Sequence, residues 1–393
     1  MSFSDLRDIK INYDVKAIQS MLSLLKASPL PGEHPIDSPP WRLGIEYSFL
    51  KRLKASFETS WSWDTLQRKI SKHNNYLIHY DTDKGDANNY SLDLHFVHVR
   101  SSRANAIPLL LLHGWPGTFF DFHKVIDGLV SPSNPDAPAF HVVIPSLPGY
   151  FLSTLPRREG WSLKSNARLF NDLMTKALGY KTYVGQGGDW GSSILRIMAS
   201  LFPDTVALSL FNMFVAPSSP NSDPSKYTDV ERRLVARREE FSTSGRGYFF
   251  LQNTKPFTIG IAIASSPLAM LAYIGEKIYS WSDPEKLDPQ DILDTVALYY
   301  LSGSFATSVV IYNQGSVDRD FIQDPLSCGI KNKFGYLAFP FEIVGAPRAD
   351  IAAFGDLVYY KEHQNGGHFP ALDNPEEFIN STREFFGRHW GNE

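Results

Sequence analysis

Cysteine is nearly absent: Cys328 stands alone among 393 residues. An internal disulfide is therefore excluded, which fits a reducing compartment, and a cytoplasmic location is expected. Long hydrophobic runs are absent too. Residues 18–25 are apolar and helix-like but too short to cross a bilayer, and residues 257–275 are interrupted by Ser265-Ser266-Pro267. The second stretch reads as two buried helices, and no transmembrane anchor is expected. Residues 1–8 are polar and charged, without signal-peptide organisation. There is no long basic run: 38 Lys and Arg face 42 Asp and Glu, for a formal net charge of −4. A nucleic-acid partner is not expected. Arg232-Arg233 and Arg237-Arg238, with Glu231, Glu239 and Glu240, read as a solvated helix face. No His/Cys cluster has metal-ligand spacing, so neither a metal nor any other cofactor is expected.

The chain does have short, largely apolar runs followed by glycine- and proline-containing turns. Pro108-Leu109-Leu110-Leu111-Leu112 leads into His113-Gly114-Trp115-Pro116-Gly117. His141-Val142-Val143-Ile144-Pro145 leads into Leu147-Pro148-Gly149-Tyr150. Thr182-Tyr183-Val184-Gly185 leads into Gly187-Gly188-Asp189-Trp190-Gly191, and a helical segment follows to a stop near Pro203. Such runs suit strands buried on both faces of a parallel sheet. The alternation of strands with helices predicts an α/β fold, a mostly parallel sheet flanked by helices.

The pattern at 187–191 is a G-x-nucleophile-x-G elbow with aspartate in the reactive position. A carboxylate there attacks a saturated electrophilic carbon and becomes an ester of the enzyme, which water can then cleave. Aspartate is also a preferred helix N-cap, so the motif alone leaves Asp189 open between nucleophile and cap. Late in the chain, Gly366-Gly367-His368-Phe369-Pro370 is a glycine-rich loop after the strand-like Leu357-Val358-Tyr359-Tyr360. Glu342 lies just past the strand-like segment at 335–340, and Asp350 and Asp356 compete with it as the third member. Nucleophile, acid and base would then follow in the chain order of α/β-hydrolases. The backbone N–H groups of Trp115 and Trp190 would form an oxyanion hole, and the Trp115–Pro116 bond is a candidate for the cis form.

HGWPG at 113–117, LPGY at 147–150, GGDWG at 187–191 and GGHF at 366–369 together resemble an epoxide hydrolase of the α/β-hydrolase superfamily. The likeness is to the microsomal type that also includes soluble fungal enzymes, and it runs through nearly the whole chain. The resemblance implies an N-terminal segment ahead of the core, seen in residues 41–98, and a helical lid. It also implies two lid tyrosines that hold the epoxide oxygen. The surroundings of Tyr248, in Gly247-Tyr248-Phe249-Phe250, and of Tyr312, in Ile311-Tyr312, match them. It favours Glu342 as the acid. The expected partner is a small-molecule epoxide, and a homodimer is compatible with it.

The expected organisation is an N-terminal segment at 1–90, a first core part at 91–215, a lid at 216–325 and a second core part at 326–393. Proline-rich linkage spans 29–40, and the lid is expected to return to the core near Pro325. Three rival readings share these motifs. A haloalkane dehalogenase also uses an aspartate elbow, but the residue after His113-Gly114 is Trp115 where many such enzymes carry a side-chain amide. A cyclase would open the epoxide with an internal nucleophile. A non-catalytic binding protein would not require the three residues together.

Overall fold

The chain is described by a computed structural model over residues 2–32, 36–82, 89–324 and 326–391. Pro325, part of the 29–40 linkage and the terminal Asn392 and Glu393 lie outside the described residues. Among the described residues nine strands form one sheet: β1 (Ser2–Ile9), β2 (Asn75–Asp81), β3 (Ser91–Val99), β4 (Ile107–Leu112), β5 (Phe140–Pro145), β6 (Tyr183–Gly187), β7 (Val206–Phe211), β8 (Ile330–Ala338) and β9 (Gly355–Glu362). Their spatial order is β1-β2-β3-β5-β4-β6-β7-β8-β9. The β1, β2, β3 and β5 neighbours are antiparallel, and every pairing from β5 to β9 is parallel. β6 and β7 are buried at every position, which explains their lack of polar alternation.

β1 is the strand that the sequence conceals. It reads SFSDLRDI, is exposed or half-exposed throughout, and pairs only with β2 at the sheet edge. A strand with no buried face carries no period-2 signal.

Above the parallel part sits a run of helices from Asp229–Glu240 to Val310–Gln314. Three of them start with a proline in the first turn, at Pro256, Pro267 and Pro289, where the missing N–H costs nothing. The N-terminal segment grips this layer. Trp41 stacks on Tyr279 with centroids 4.0 Å apart. Trp61 Nε1 donates to Asp294 at 3.0 Å, and Lys69 pairs with the same carboxylate at 2.9 Å.

Two expectations need correction here. Residues 257–275 do form two helices, Pro256–Ala264 and Pro267–Trp281, but only the second is buried. Phe257 is 56% and Ile261 65% exposed. The first helix is apolar all round and packs through one side only, so composition could not reveal its exposure. The arginines of Asp229–Glu240 do not form one solvated face. Arg232 and Arg233 are exposed, but Arg237 turns inward, donates to Ser280 O at 2.8 Å and lies over Phe341. Leu234 and Val230 fix that side of the helix against the molecule, and Arg237 follows them around. No single helix among the described residues is long and apolar enough to cross a membrane.

Candidate active site

β6 ends at Gly187, and the helix Asp189–Leu201 begins two residues later. Asp189 sits at the junction with φ 48°, a left-handed conformation that is uncommon for a non-glycine residue. Packing holds it there. A Cβ on Gly187 would come within 2.6 Å of Gly191 O, and one on Gly191 within 2.2 Å of Leu112 O. The glycines thus let the helix start press directly on the β4 backbone. The Trp115 N–H, from the turn after β4, donates to Asp189 Oδ1 at 2.8 Å. A Cβ on Gly114 would overlap that same oxygen. The Trp115–Pro116 bond is cis, as expected from the turn. Trp190 supplies the first N–H after Asp189 in a helix whose early donors have no intrahelical acceptor.

His113, the first residue of HGWPG, is structural. Its Nδ1 donates to Gly114 O at 3.0 Å, and its Nε2 accepts from Leu147 N at 3.1 Å. It ties the HGWPG turn to the LPGY turn, and burial pushes its pKa down to about 4.

His368 arrives from the loop after β9. Its N–H donates to Trp281 O at 2.8 Å. Its Nδ1 lies 2.8 Å from Glu342 Oε1, and both side chains are fully buried. Glu342 Oε1 also accepts from Val344 N at 3.0 Å. With Nδ1 donating to the carboxylate, Nε2 faces Asp189 Oδ2 at 3.3 Å, at ion-pair distance but off the line of a hydrogen bond. Burial works against a charged imidazole, but Glu342 and then Asp189 outweigh it and raise His368 to about 10. The competing acids are elsewhere: Asp350 is buried and accepts from Ser219 N at 2.8 Å, and Asp356 is exposed.

Tyr248 and Tyr312 come from two lid helices, Gly247–Thr254 and Val310–Gln314, and both are buried. Their rings cross at 80° with centroids 5.8 Å apart. Trp115 stacks on Tyr248 at 5.2 Å, and Trp190 meets Tyr312 edge-on at 4.9 Å. The Tyr312 hydroxyl has no hydrogen-bond partner among the described residues. Burial, with Asp189 nearby, holds both phenols well above their ordinary range, so they stay neutral donors. Asp189, Trp190, Tyr248 and Tyr312 all line one cleft of about 330 Å³. Behind it, a space of about 30 Å³ touches Asp189, His368, Gln186, Asn212 and Asp121, enough for about one water.

Sequence reasoning missed three supports. Asn212, just past β7, reaches toward Glu342 Oε2 at 3.5 Å and donates to His368 O at 3.3 Å. Gln186 donates to Asn212 Oδ1 at 2.8 Å. Trp281 places its ring edge-on to the imidazole at 5.3 Å. Position at a strand end is the only signal that could have marked Asn212. Among the described residues no group of three or more His, Cys, Asp or Glu could hold a metal.

Parallel strands that deliver such groups to one end of the sheet, in the chain order carboxylate, acid, imidazole, mark an α/β-hydrolase, and this chain is one. A family model described as alpha/beta hydrolase fold matches residues 107–258, and one described as epoxide hydrolase N terminus matches residues 6–122. A candidate epoxide hydrolase of Stigmatella aurantiaca is 35% identical, covering 96% of this chain and 84% of its own. Epoxide hydrolase 1 of Sus scrofa is 29% identical over 90% of this chain and 83% of its own. The solved structure of an Aspergillus niger epoxide hydrolase superposes with a TM-score of 0.86 at 29% identity, covering 98% of this chain and 97% of that one. The chain belongs to the epoxide hydrolase family, and it is a hydrolase enzyme.

Proposed function

We propose that the protein converts a small-molecule epoxide to a vicinal diol through an ester on Asp189. The observation that carries this reading is the placement of the Asp189 carboxylate between the Trp115 N–H and His368, in the same cleft as two neutral phenols. Tyr248 and Tyr312 donate to the ring oxygen as it becomes an alkoxide, and Asp189 attacks one ring carbon. The raised His368 pKa makes the resting state an Asp189 carboxylate beside an imidazolium. That proton replaces, in net balance, the one the alkoxide collects, and it leaves His368 neutral once the ester has formed. The loss of the Asp189 charge removes one support of the raised pKa at that moment. His368, oriented by Glu342, then takes a proton from water, which attacks the ester carbonyl carbon. The N–H groups of Trp115 and Trp190 stabilise the oxyanion. Collapse breaks the acyl–oxygen bond, the leaving diol oxygen takes the second proton of the attacking water, and the Asp189 carboxylate and the imidazolium are restored.

In this reading the segment 1–90 adds the edge strands β1 and β2 to the sheet and clamps the lid, 91–215 and 326–393 form the rest of the core, and 216–325 form the lid. Cytoplasmic location is supported by the single, buried, unpaired Cys328. The exposed Phe257 and Ile261 offer a surface on which two copies could pair.

A single turnover in oxygen-18 water tests the ester. The first-turnover diol should carry an oxygen from the protein and none from solvent, with the label on the Asp189 peptide. Solvent oxygen in the first-turnover diol would overturn the mechanism.

A further inference from the structure

The cleft above Asp189 has an unusual charge pattern. Its wall carries one carboxylate, Asp189 itself, and three arginines, Arg238, Arg246 and Arg319. This is a local cationic excess in a chain whose acids outnumber its Lys and Arg, 42 to 38. The three come from separate elements: the helix Asp229–Glu240, the residue before the helix Gly247–Thr254, and the start of the helix Arg319–Gln323. None makes an ion pair with a carboxylate among the described residues. Arg238 has one long bond, to Ala216 O at 3.4 Å. Arg246 lies over the Phe250 ring at 5.1 Å, and Arg319 over the Phe249 ring at 5.6 Å. Those rings follow Tyr248 directly on its helix, so two of the guanidiniums are held by the same element that delivers a phenol to the site.

A solvated rim is the ordinary fate of surface arginines, and Arg246 and Arg319 are indeed exposed. A rim, however, interleaves charges of both signs, and the lining of this cleft carries no acid besides Asp189, with Glu239, Glu240 and Asp320 outside it. The remaining wall is largely apolar, with Met213, Val215, Ile322, Ile343 and Val344. Asp189 and the buried tyrosines mark the closed end, and the exposed arginines mark the open one. An apolar passage with an oxirane site at one end and guanidiniums at the other fits one substrate class.

We propose that the enzyme's substrates are epoxy acids, apolar chains carrying an oxirane at one end and a carboxylate that Arg238, Arg246 and Arg319 receive. Guanidinium forks suit a carboxylate bidentately, where lysines would supply only point charges. The proposal rests on the epoxide reading of the Asp189 end. It adds that the arginines select the substrate without taking part in ring opening.

The test pairs a terminal epoxyundecanoate with its methyl ester. For the wild type, kcat/KM for the acid should exceed that for the ester by about tenfold or more at low salt, the value of one good charged hydrogen bond. Rising salt should erode that ratio, since the mouth is exposed. In Arg238→Gln/Arg246→Gln/Arg319→Gln the acid-to-ester ratio should fall towards one, and Arg319→Glu should push it below that of the wild type. Equal turnover of acid and ester by the wild type, or a ratio that the triple variant leaves in place, would overturn the proposal. Calorimetric binding of decanoate against decanol separates the two layers of argument. If neither epoxide is turned over, the epoxide reading fails. Decanoate that binds the wild type tightly and the triple variant at least about tenfold more weakly would still uphold the arginine site. Decanoate binding no better than decanol would sink it.

Discussion

On the floor of the cleft, every reacting group is held from more than one side. Asp189 takes the Trp115 N–H and faces His368. His368 is fixed through Nδ1, its backbone N–H and its backbone carbonyl. Glu342 takes the Val344 N–H and faces Asn212. On the roof, the buried Tyr312 hydroxyl has no hydrogen-bond partner among the described residues, and Tyr248 is held by ring contacts with Trp115, Trp281 and Tyr312. A group that must point the same way through two chemical steps gains from preorganising bonds. A donor that must be free to meet an incoming oxygen loses by having a partner already. The floor is therefore built for covalent chemistry and the roof for capture, and each half of that contrast can be broken separately.

The largest expected effect is on the floor. Asp189→Asn keeps the shape and tolerates the left-handed backbone, but removes the nucleophile. Turnover should fall by about 10⁴-fold or more, with no covalent adduct by mass spectrometry. Substantial turnover retained by this variant would mean that Asp189 is only a helix start.

His368→Gln comes next and splits the steps. Attack by Asp189 needs no base, and solvent can supply the proton that His368 otherwise gives up, so the ester should form, if more slowly, and persist. The elbow peptide should gain the substrate's mass while turnover is lost. An inactive variant without the adduct would mean that the His368 proton is indispensable to ring opening and that the two steps do not separate. Glu342→Gln should act in the same direction more mildly, since it weakens the orientation of His368 while leaving the imidazole in place.

On the roof, Tyr248→Phe and Tyr312→Phe should each slow ester formation. Removal of one oxyanion donor costs about 2.7–4 kcal/mol in comparable sites. The single losses should be smaller here because the second phenol remains, and the double variant should lose nearly all alkylation. Near-normal alkylation by the double variant would make the tyrosines packing residues and erase the contrast between roof and floor.

The same contrast governs what could be read without a structure. The elbow and the His368 loop are legible because backbone crowding demands glycines at fixed spacing, and those glycines are visible as letters. The central strands are legible because burial on both faces leaves unbroken apolar runs at Leu109–Leu112 and Val142–Ile144. Tyr248 and Tyr312 are legible only through family resemblance, because a lone aromatic in a helix has no spacing to betray it. Asn212 and Trp281 fall outside every motif, since their roles come from strands and helices that meet only in the fold. The exposed helix Pro256–Ala264 and the inward Arg237 fail for a related reason: composition states what a helix could bury, and only its neighbours decide what it does.

The smallest effect expected lies beneath the floor. Asp121 is buried at the end of the HGWPG turn, where its Oδ1 accepts the Thr118 N–H at 3.0 Å. Burial raises its pKa from 3.8 to about 7, against the Thr118 bond. A carboxyl with a raised folded-state pKa favours the folded protein while it is protonated. That contribution is full below about 3.8 and is lost as pH rises through about 7. Asp373 and Asp291 shift in the same direction, so wild-type stability alone would mix the three. Asp121→Asn isolates one of them. The variant's stability relative to wild type should rise between about pH 4 and pH 8 by about 1–2 kcal/mol, below the total of about 4 kcal/mol that a shift from 3.8 to about 7 would set at about 1.4 kcal/mol per unit. Denaturant unfolding of both proteins at each pH would measure it. Turnover should change less than in any variant above, because Asp121 supports the turn and only borders the water-sized space behind Asp189, without lining the cleft that receives the epoxide. A flat stability difference across that range would mean that Asp121 is already ionised in the folded protein. A large loss of turnover would instead move Asp121 from the foundation into the chemistry of the floor.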